Sequence, residues 1–252
     1  GHNGLTNAAY LAKAGLDVLV VEKNDYIGGA AVSREMHEGW IYSSCSYVCS
    51  MMRQSLHRDL DLGRHGLLLV PYLGTVNFAD DGRTLLSYHN QESTYLELKR
   101  HSSHDADAMH RFQSDLTRYS YLIRKTLLRT PPDPTSFRPR DISELLFLAK
   151  QFWSLGEKEI YEYIRFFTIS AAEFLDDYFE NDLIKAAMSS AGIIGTALGV
   201  YSPGSSYILL HHVMGDVDGS IGAWGLARGG MGAISNAIAA AFQEHGGEIR
   251  TL

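Results

Sequence analysis

The glycine spacing at the start of the chain constrains its fold more than any other feature of the 252 residues. Residues 1–29 read GHNGLTNAAYLAKAGLDVLVVEKNDYIGG. Gly1 and Gly4 match the last two glycines of G-x-G-x-x-G. In that motif the middle glycine lets backbone approach a pyrophosphate, and the last lets a helix pack tightly on a sheet. A helix is predicted over residues 5–14, with Leu5, Ala8, Ala9, Leu11 and Ala12 as its apolar face. Its unpaired N–H groups and positive dipole end would face phosphates. Gly15 would cap its C-terminus. Residues 17–22 (DVLVVE) predict a buried parallel strand ending in an acid. Glu22 lies 18 residues after Gly4, close to the roughly 20-residue interval at which an acid takes the ribose hydroxyls of an adenine dinucleotide. An acid there repels a 2′-phosphate. The bland alternative is an ordinary helix–strand pair with a surface glutamate. The agreement of all five features in one register weighs against it. No first glycine and no strand precede Gly1, so the chain is expected to be a piece of a longer protein, holding cofactor weakly or not at all on its own.

Six residues beyond Glu22 stands the doublet Gly28-Gly29, which reads equally well as a second loop approaching a ligand or as a plain turn. The pattern G-x-x-G…E…x-G-G resembles the FAD-binding N-terminus shared by amine oxidases, phytoene desaturases and their relatives. Two later blocks, NDLIKAAMSSAGIIGTALGVYSPGSSYILLHHVMG (181–215) and GAWGLARGGMGAISNAIAAAFQEHGGEIR (222–250), are similar to the phytoene-dehydrogenase-like group. The resemblance covers nearly the whole chain and is densest at both ends. It implies an FAD-dependent oxidoreductase about twice this length, of α/β class (α+β overall). The expected parts are a Rossmann-like FAD-binding βαβ unit lacking its first strand, a small second sheet and a mostly helical substrate region. By position it places Gly1, His2, Asn3, Gly4, Glu22 and Lys23 in the phosphate and ribose segments. Gly28, Gly29 and Ala30 fall in the second flavin-contacting loop. Many relatives carry arginine where this chain has Ala30, so that contact is not expected here. The resemblance also implies a mitochondrial matrix location for a eukaryotic protein and a cytoplasmic one for a bacterial protein.

Charge and cysteines narrow the partners. With 22 basic and 29 acidic residues and a net charge of −7, nucleic acid is not an expected partner. No run of 18 or more apolar residues exists, so no membrane-spanning helix is expected. Cys45 and Cys49 form C-x-x-x-C, which is neither a redox C-x-x-C pair nor enough for a four-ligand metal site. They are expected as half-buried thiols on one helix face, in a reducing compartment. No metal is expected.

Along the chain, residues 1–101 are expected to form the partial cofactor domain, 102–215 a mostly helical substrate or cap region, and 216–252 a return to the cofactor domain. The run WIYSSCSYVCSMM (40–52) is expected to enter the interior. Residues 54–62 predict a short helix and 67–72 a strand. Residues 75–78 and 84–88 predict a hairpin through Asp81-Gly82, forming a second sheet over the cofactor domain. Residues 102–129 predict a helix capped by Ser102, with Phe112, Tyr119 and Tyr121 as packing residues. Residues 130–140 (TPPDPTSFRPR) hold four of the six prolines and end it. Asp141 with Glu144, and Ser170 with Glu173, are expected to cap further helices. Residues 215–232 hold seven glycines, as loops approaching a ligand often do. Gly229-Gly230-Met231-Gly232 would open a small-residue helix, packed on a sheet and followed by a strand over 248–252.

The sequence shows no Ser-His-Asp spacing, H-E-x-x-H or P-loop. That suits chemistry carried by a flavin, with the protein supplying orientation and a dry pocket, and it leaves catalytic side chains unassigned. The expected reaction is hydride abstraction from a small apolar molecule. Two alternatives stay open: an NAD-dependent enzyme sharing Gly1, Gly4 and Glu22, and a non-catalytic regulator that keeps the fold. The doublet and the 229–252 block favour FAD. A homo-oligomer or a protein partner is also left open.

Overall fold

The structure is a computed structural model that describes residues 1–217 and 220–252. It divides into two compact units, residues 1–72 with 215–252, and residues 73–214. The first unit begins with α1 (His2–Lys13), β1 (Leu19–Val21), β2 (Ser33–His37), β3 (Trp40–Ser43), α2 (Gln54–Asp59) and β4 (Leu69–Pro71). The second holds β5 (Gly74–Phe78), β6 (Thr84–Tyr88), α3 (Gln91–His101), α4 (Ser103–Arg124), α5 (Pro139–Trp153), α6 (Glu157–Thr168), α7 (Ala171–Asp176), α8 (Asp182–Ser189) and α9 (Ser206–Val213). The chain then returns through β7 (Asp216–Val217), β8 (Ser220–Ile221), β9 (Gly225–Ala227), α10 (Gly232–Glu244) and β10 (Glu248–Arg250). No helix among the described residues is long and apolar enough to cross a membrane.

In the first unit, β1 and β10 pair in parallel, Leu19 opposite Glu248 and Val21 opposite Arg250. The N–H of Glu22 extends the ladder to the Arg250 carbonyl at 2.9 Å. The strand is shorter than expected and is not buried: Val21 is 74% exposed, because only β10 flanks it among the described residues. The core instead lies between two helices. Leu5, Ala8, Ala9 and Ala12 of α1 cluster with Ile234, Ala237, Ile238, Ala241 and Phe242 of α10, closed by Leu60, Leu62 and Leu67. The small residues of α10 therefore serve close packing on α1 as well as on the strands. Leu11, placed on the apolar face by sequence, is exposed. Gly15, at φ +86°, follows the C-cap Ala14 as expected. Beyond α10, Gly246 at φ +87° turns the chain into β10.

Only the end of the run 40–52 enters the interior: Cys49 joins the core with Met52 packed against it, and Ser50 is buried. Residues 40–43 instead form the second strand of the β2–β3 hairpin, turned at Gly39 (φ +77°), and leave Trp40, Ile41 and Tyr42 exposed. The turn was legible in His37-Glu38-Gly39-Trp40, a Gly-containing break between residues with strand propensity. Of the later glycines, Gly215 and Gly232 serve contacts within the protein. A Cβ on Gly215 would meet the Ser50 carbonyl, and one on Gly232 would lie 2.6 Å from the Ser33 nitrogen. Gly219 lies outside the described residues.

In the second unit, the β5–β6 hairpin turns at Gly82 (φ +84°) as predicted, but it belongs with α3 in the helical unit. Helix α3 was missed because Ser102 starts α4 directly after it. Its own cap is Asn90, whose side chain accepts from the Ser93 N–H. The Ser102 hydroxyl accepts from the Asp105 N–H at 3.1 Å, and Ser170 and Glu173 form the reciprocal capping box. Asp141 does not cap α5, which begins at Pro139, the first-turn position where a missing N–H is harmless. Asp141 accepts instead from the Asp133 N–H at 3.3 Å. The core is aromatic. Phe112 contacts Phe174, Tyr178 and Phe179 with ring centroids 5.1–5.9 Å apart. Tyr119 lies 4.7 Å from Phe166. Tyr121, expected with them, is exposed.

Candidate cofactor site

Three glycine-bearing segments meet in the first unit. Gly1 caps α1, whose first-turn N–H groups have no intrahelical acceptor. The His2 N–H donates to the Gly28 carbonyl at 3.2 Å, which joins the helix start to the doublet. Gly28 and Gly29 hold φ of +112° and +62°, conformations that favour glycine. A Cβ on Gly28 would lie 2.5 Å from the Ala31 carbonyl and 2.8 Å from Ser235 Oγ; one on Gly29 would lie 3.0 Å from Gly1 Cα. The doublet is thus a tight turn pressed against the helix start.

The 229–232 turn is tied to the same place by hydroxyls. Ser33 Oγ donates to the Gly229 carbonyl at 3.0 Å and accepts from the Gly232 N–H at 2.9 Å. Ser43 Oγ accepts from the Met231 N–H at 3.0 Å, and Ser235 Oγ donates to the Ala31 carbonyl at 2.6 Å. Sequence reasoning missed Ser33, Ser43 and Ser235. The available signal was small hydroxyl residues beginning four positions after the doublet. A cavity of about 500 Å³ opens beside these segments, walled by Tyr26, Ile27, Ser33, Gly232, Asn236 and Thr251 among others.

Glu22 follows β1 directly. Its Oε1 accepts from the Asn24 N–H at 3.1 Å and Asn24 Nδ2 at 2.9 Å, and its Oε2 lies 3.8 Å from the Gly1 nitrogen. The Asn24 N–H hydrogen bond is the main cause that holds the carboxyl below its ordinary pKa. Glu22 is therefore an ionised acceptor beside the helix start. Lys23 and Ala30 are exposed. A Cβ on Gly4 would meet nothing within 4 Å among the described residues. Its position on the first turn leaves that face free for an approaching group. The guanidinium of Arg34 sits 4.5 Å over the Tyr26 ring.

The cysteines are not a helical pair. Cys45 is exposed and Cys49 buried, both free. Cys49 bridges to Gly225 through two 2.8 Å backbone bonds, and burial pushes its thiol pKa up, as expected of an inert residue. In the helical unit, His104, Asp105 and Glu180 bring ligand-type atoms within 4.8 Å of one another. The buried Asp105 carboxylate is engaged by the N–H groups of Glu180 (3.0 Å) and Asn181 (2.9 Å), so it fixes the start of α8.

These segments suit a dinucleotide: a helix start, two glycine turns in the same unit and an ionised acid at the strand end. Comparison with known proteins agrees. The family model for flavin containing amine oxidoreductase matches residues 4–251. The chain is 37% identical over 268 residues to the mouse (Mus musculus) pyridine nucleotide-disulfide oxidoreductase domain-containing protein 2, covering all of this chain and 46% of that protein. It is 31% identical over 129 residues to a limonene dehydrogenase polypeptide of Castellaniella defragrans, covering 50% of this chain and 24% of that one. Among solved structures, wild-type putrescine oxidase bound to putrescine superposes with a TM-score of 0.54 at 17% identity, covering 100% of this chain and 49% of the other. The chain thus spans about half the length of the curated relatives it matches end to end. With its family match running almost from end to end, this chain belongs to the flavin-containing amine oxidoreductase family.

Proposed function

We propose that the protein to which this chain belongs is an FAD-dependent oxidoreductase that dehydrogenates a small apolar molecule. The observation that carries the reading is the junction of the α1 start, the Gly28-Gly29 turn and the hydroxyl-pinned 229–232 turn. Family membership and the glycine geometry both support FAD. When bound, FAD supplies the two-electron acceptor for hydride. The α1 start and the doublet would hold the diphosphate with backbone N–H groups and the helix dipole. Glu22 would accept from ribose hydroxyls, and its charge selects against a 2′-phosphate. The likeness to the limonene dehydrogenase polypeptide supports an apolar substrate, as does the supply of apolar and aromatic residues in the 73–214 unit. Location follows the family resemblance: the mitochondrial matrix for a eukaryotic protein, the cytoplasm for a bacterial one.

The test is the absorbance spectrum of the purified full-length protein, before and after incubation with FAD. Flavin bands retained through gel filtration are expected. A colourless protein that takes up no FAD overturns the reading, and tight retention of NAD instead transfers it to the nicotinamide class.

A further inference from the structure

Helix α10 is capped by residues that do not belong to it. Its own N-cap, Met231, makes no side-chain cap bond. The acceptors come from the β2–β3 hairpin, where Ser33 and Ser43 are cross-strand partners and so share one face. Ser43 Oγ accepts from the Met231 N–H at 3.0 Å and Ser33 Oγ from the Gly232 N–H at 2.9 Å, across 188 and 199 residues of chain. The N–H groups of Ala233 and Ile234 close on the Gly230 and Met231 carbonyls at 3.1 and 3.2 Å. The donors of residues 231–234 are therefore all held within the chain. An anion has no claim on this helix start, which leaves the start of α1 for a diphosphate.

The glycines of the 229–232 turn are shaped to these hydroxyls. A Cβ on Gly230 would press on Ser33 Oγ and lie 2.8 Å from Ser43 Oγ, and one on Gly232 would lie 3.1 Å from Ser33 Oγ. A helix that needed only a cap would take it from its own N-cap position, where Ser, Thr, Asp or Asn serves without distant help. A cap drawn from the hairpin also fastens what precedes the hairpin, the Gly28-Gly29 loop. The Gly28 carbonyl accepts from the N–H groups of His2 and Ala31 at 3.2 and 3.1 Å. Ser235 Oγ of α10 donates to the Ala31 carbonyl at 2.6 Å, and Ser33 follows at the start of β2. The loop is thus strung between the start of α1 and the start of α10. Ser33, Gly229 and Gly232 all wall the 500 Å³ cavity beside it.

We propose that Ser33 and Ser43 are positioning residues for the cofactor. By capping α10 across the fold, they hold the Gly28-Gly29 loop against the start of α1 in the conformation that receives FAD, so that binding does not have to order it. The proposal rests on the FAD reading above and adds to it the residues that shape the site without supplying its phosphate or ribose contacts.

The experiment compares Ser33→Ala and Ser43→Ala, made singly in the full-length protein, with Ser102→Ala. The last removes the same kind of hydroxyl cap, 3.1 Å from its N–H, from the helical unit. FAD affinity is read by fluorescence titration, apoprotein stability by Tm, and the environment of the bound flavin by visible circular dichroism at saturating FAD. Ser33→Ala and Ser43→Ala should each raise the Kd for FAD about tenfold and alter the flavin spectrum. Ser102→Ala should lower Tm and leave Kd and spectrum at wild type. A lowered Tm with wild-type Kd and spectrum in the Ser33 and Ser43 variants makes these residues structural caps only and overturns the proposal. An equal loss of affinity in Ser102→Ala overturns it too, because affinity would then follow general stability. A wild-type protein that takes up no FAD overturns the flavin reading itself, an outcome distinct from wild-type binding that the serine variants leave unchanged.

Discussion

The two units are built on opposite packing rules. In the first, small residues bring two helices together, and turns approach so closely that glycine is required: α1 meets α10 through alanines, and Gly28 and Gly232 have no room for a methyl group. In the second, large rings fill the space. Phe112, Tyr119, Phe166, Phe174 and Tyr178 form one connected aromatic cluster, edged by ion pairs such as Arg165 with Asp177. Backbone segments approach one another this closely only through residues without bulky side chains. A helical scaffold has no such need and gains from volume. The first unit should therefore be sensitive to added atoms and the second to removed ones.

Phe174→Ala should show the largest effect. The ring is buried and contacts four aromatic neighbours. Its loss should cost about 3–5 kcal/mol in denaturant unfolding of the helical unit. A loss under 1 kcal/mol would break the volume rule there.

Next comes Asp105→Asn, at about 2–3 kcal/mol, since an amide cannot accept equally from the Glu180 and Asn181 N–H groups. Burial works against ionisation of this carboxyl, but hydrogen bonds from His104 and those two N–H groups outweigh it and hold the pKa below its ordinary value. A depressed folded pKa gives stability that is present above the unfolded value of about 3.9 and is lost as pH falls through the folded one. Wild type and variant should therefore differ at neutral pH and converge in acid titrations below about pH 4. A constant difference across that range would place the effect elsewhere.

Gly28→Ala should cost about 1–3 kcal/mol in the first unit, from a positive φ and a Cβ 2.5 Å from a carbonyl oxygen. The same methyl on Gly4, which faces open space, should be nearly neutral for thermal stability. Equal effects at the two positions would remove the distinction between a built turn and an open cradle.

Glu22→Gln sharpens the comparison from the functional side and should have the smallest effect on stability. The group is partly exposed and bonded within its own turn, so unfolding should shift by less than about 0.5 kcal/mol. FAD affinity of the full-length protein, by fluorescence titration, should fall about tenfold through loss of a charged acceptor. Unchanged affinity would remove Glu22 from the site.

Much of the candidate site's backbone geometry was legible in the sequence because its features are local. Gly1, Gly15, Glu22 and the 229–232 turn declare themselves through backbone conformations and intervals that few other residues satisfy. Local capping was legible too, in Ser102 and Ser170, since a hydroxyl three residues before its N–H acts without tertiary help. Asp141 failed as a cap because Pro139 offered a better helix start two residues earlier. Residues 40–43 failed as interior residues because apolar composition does not say which neighbour will cover a strand, whereas Cys49 does reach the core.

By itself, then, the sequence determined the βαβ remnant, the acid at its end, the hairpin at Gly82 and the return of the last helix and strand, all set by φ preference, periodicity and short-range hydrogen bonds. Tertiary structure decided the rest. It placed Ser33 and Ser43 against a turn nearly 200 residues away, turned Gly28 from a loop residue into a space requirement and assigned the hairpin to the helical unit. These outcomes depend on which segments meet, and contact between residues far apart in the chain is set by the packing of the whole core, not by any window of its residues.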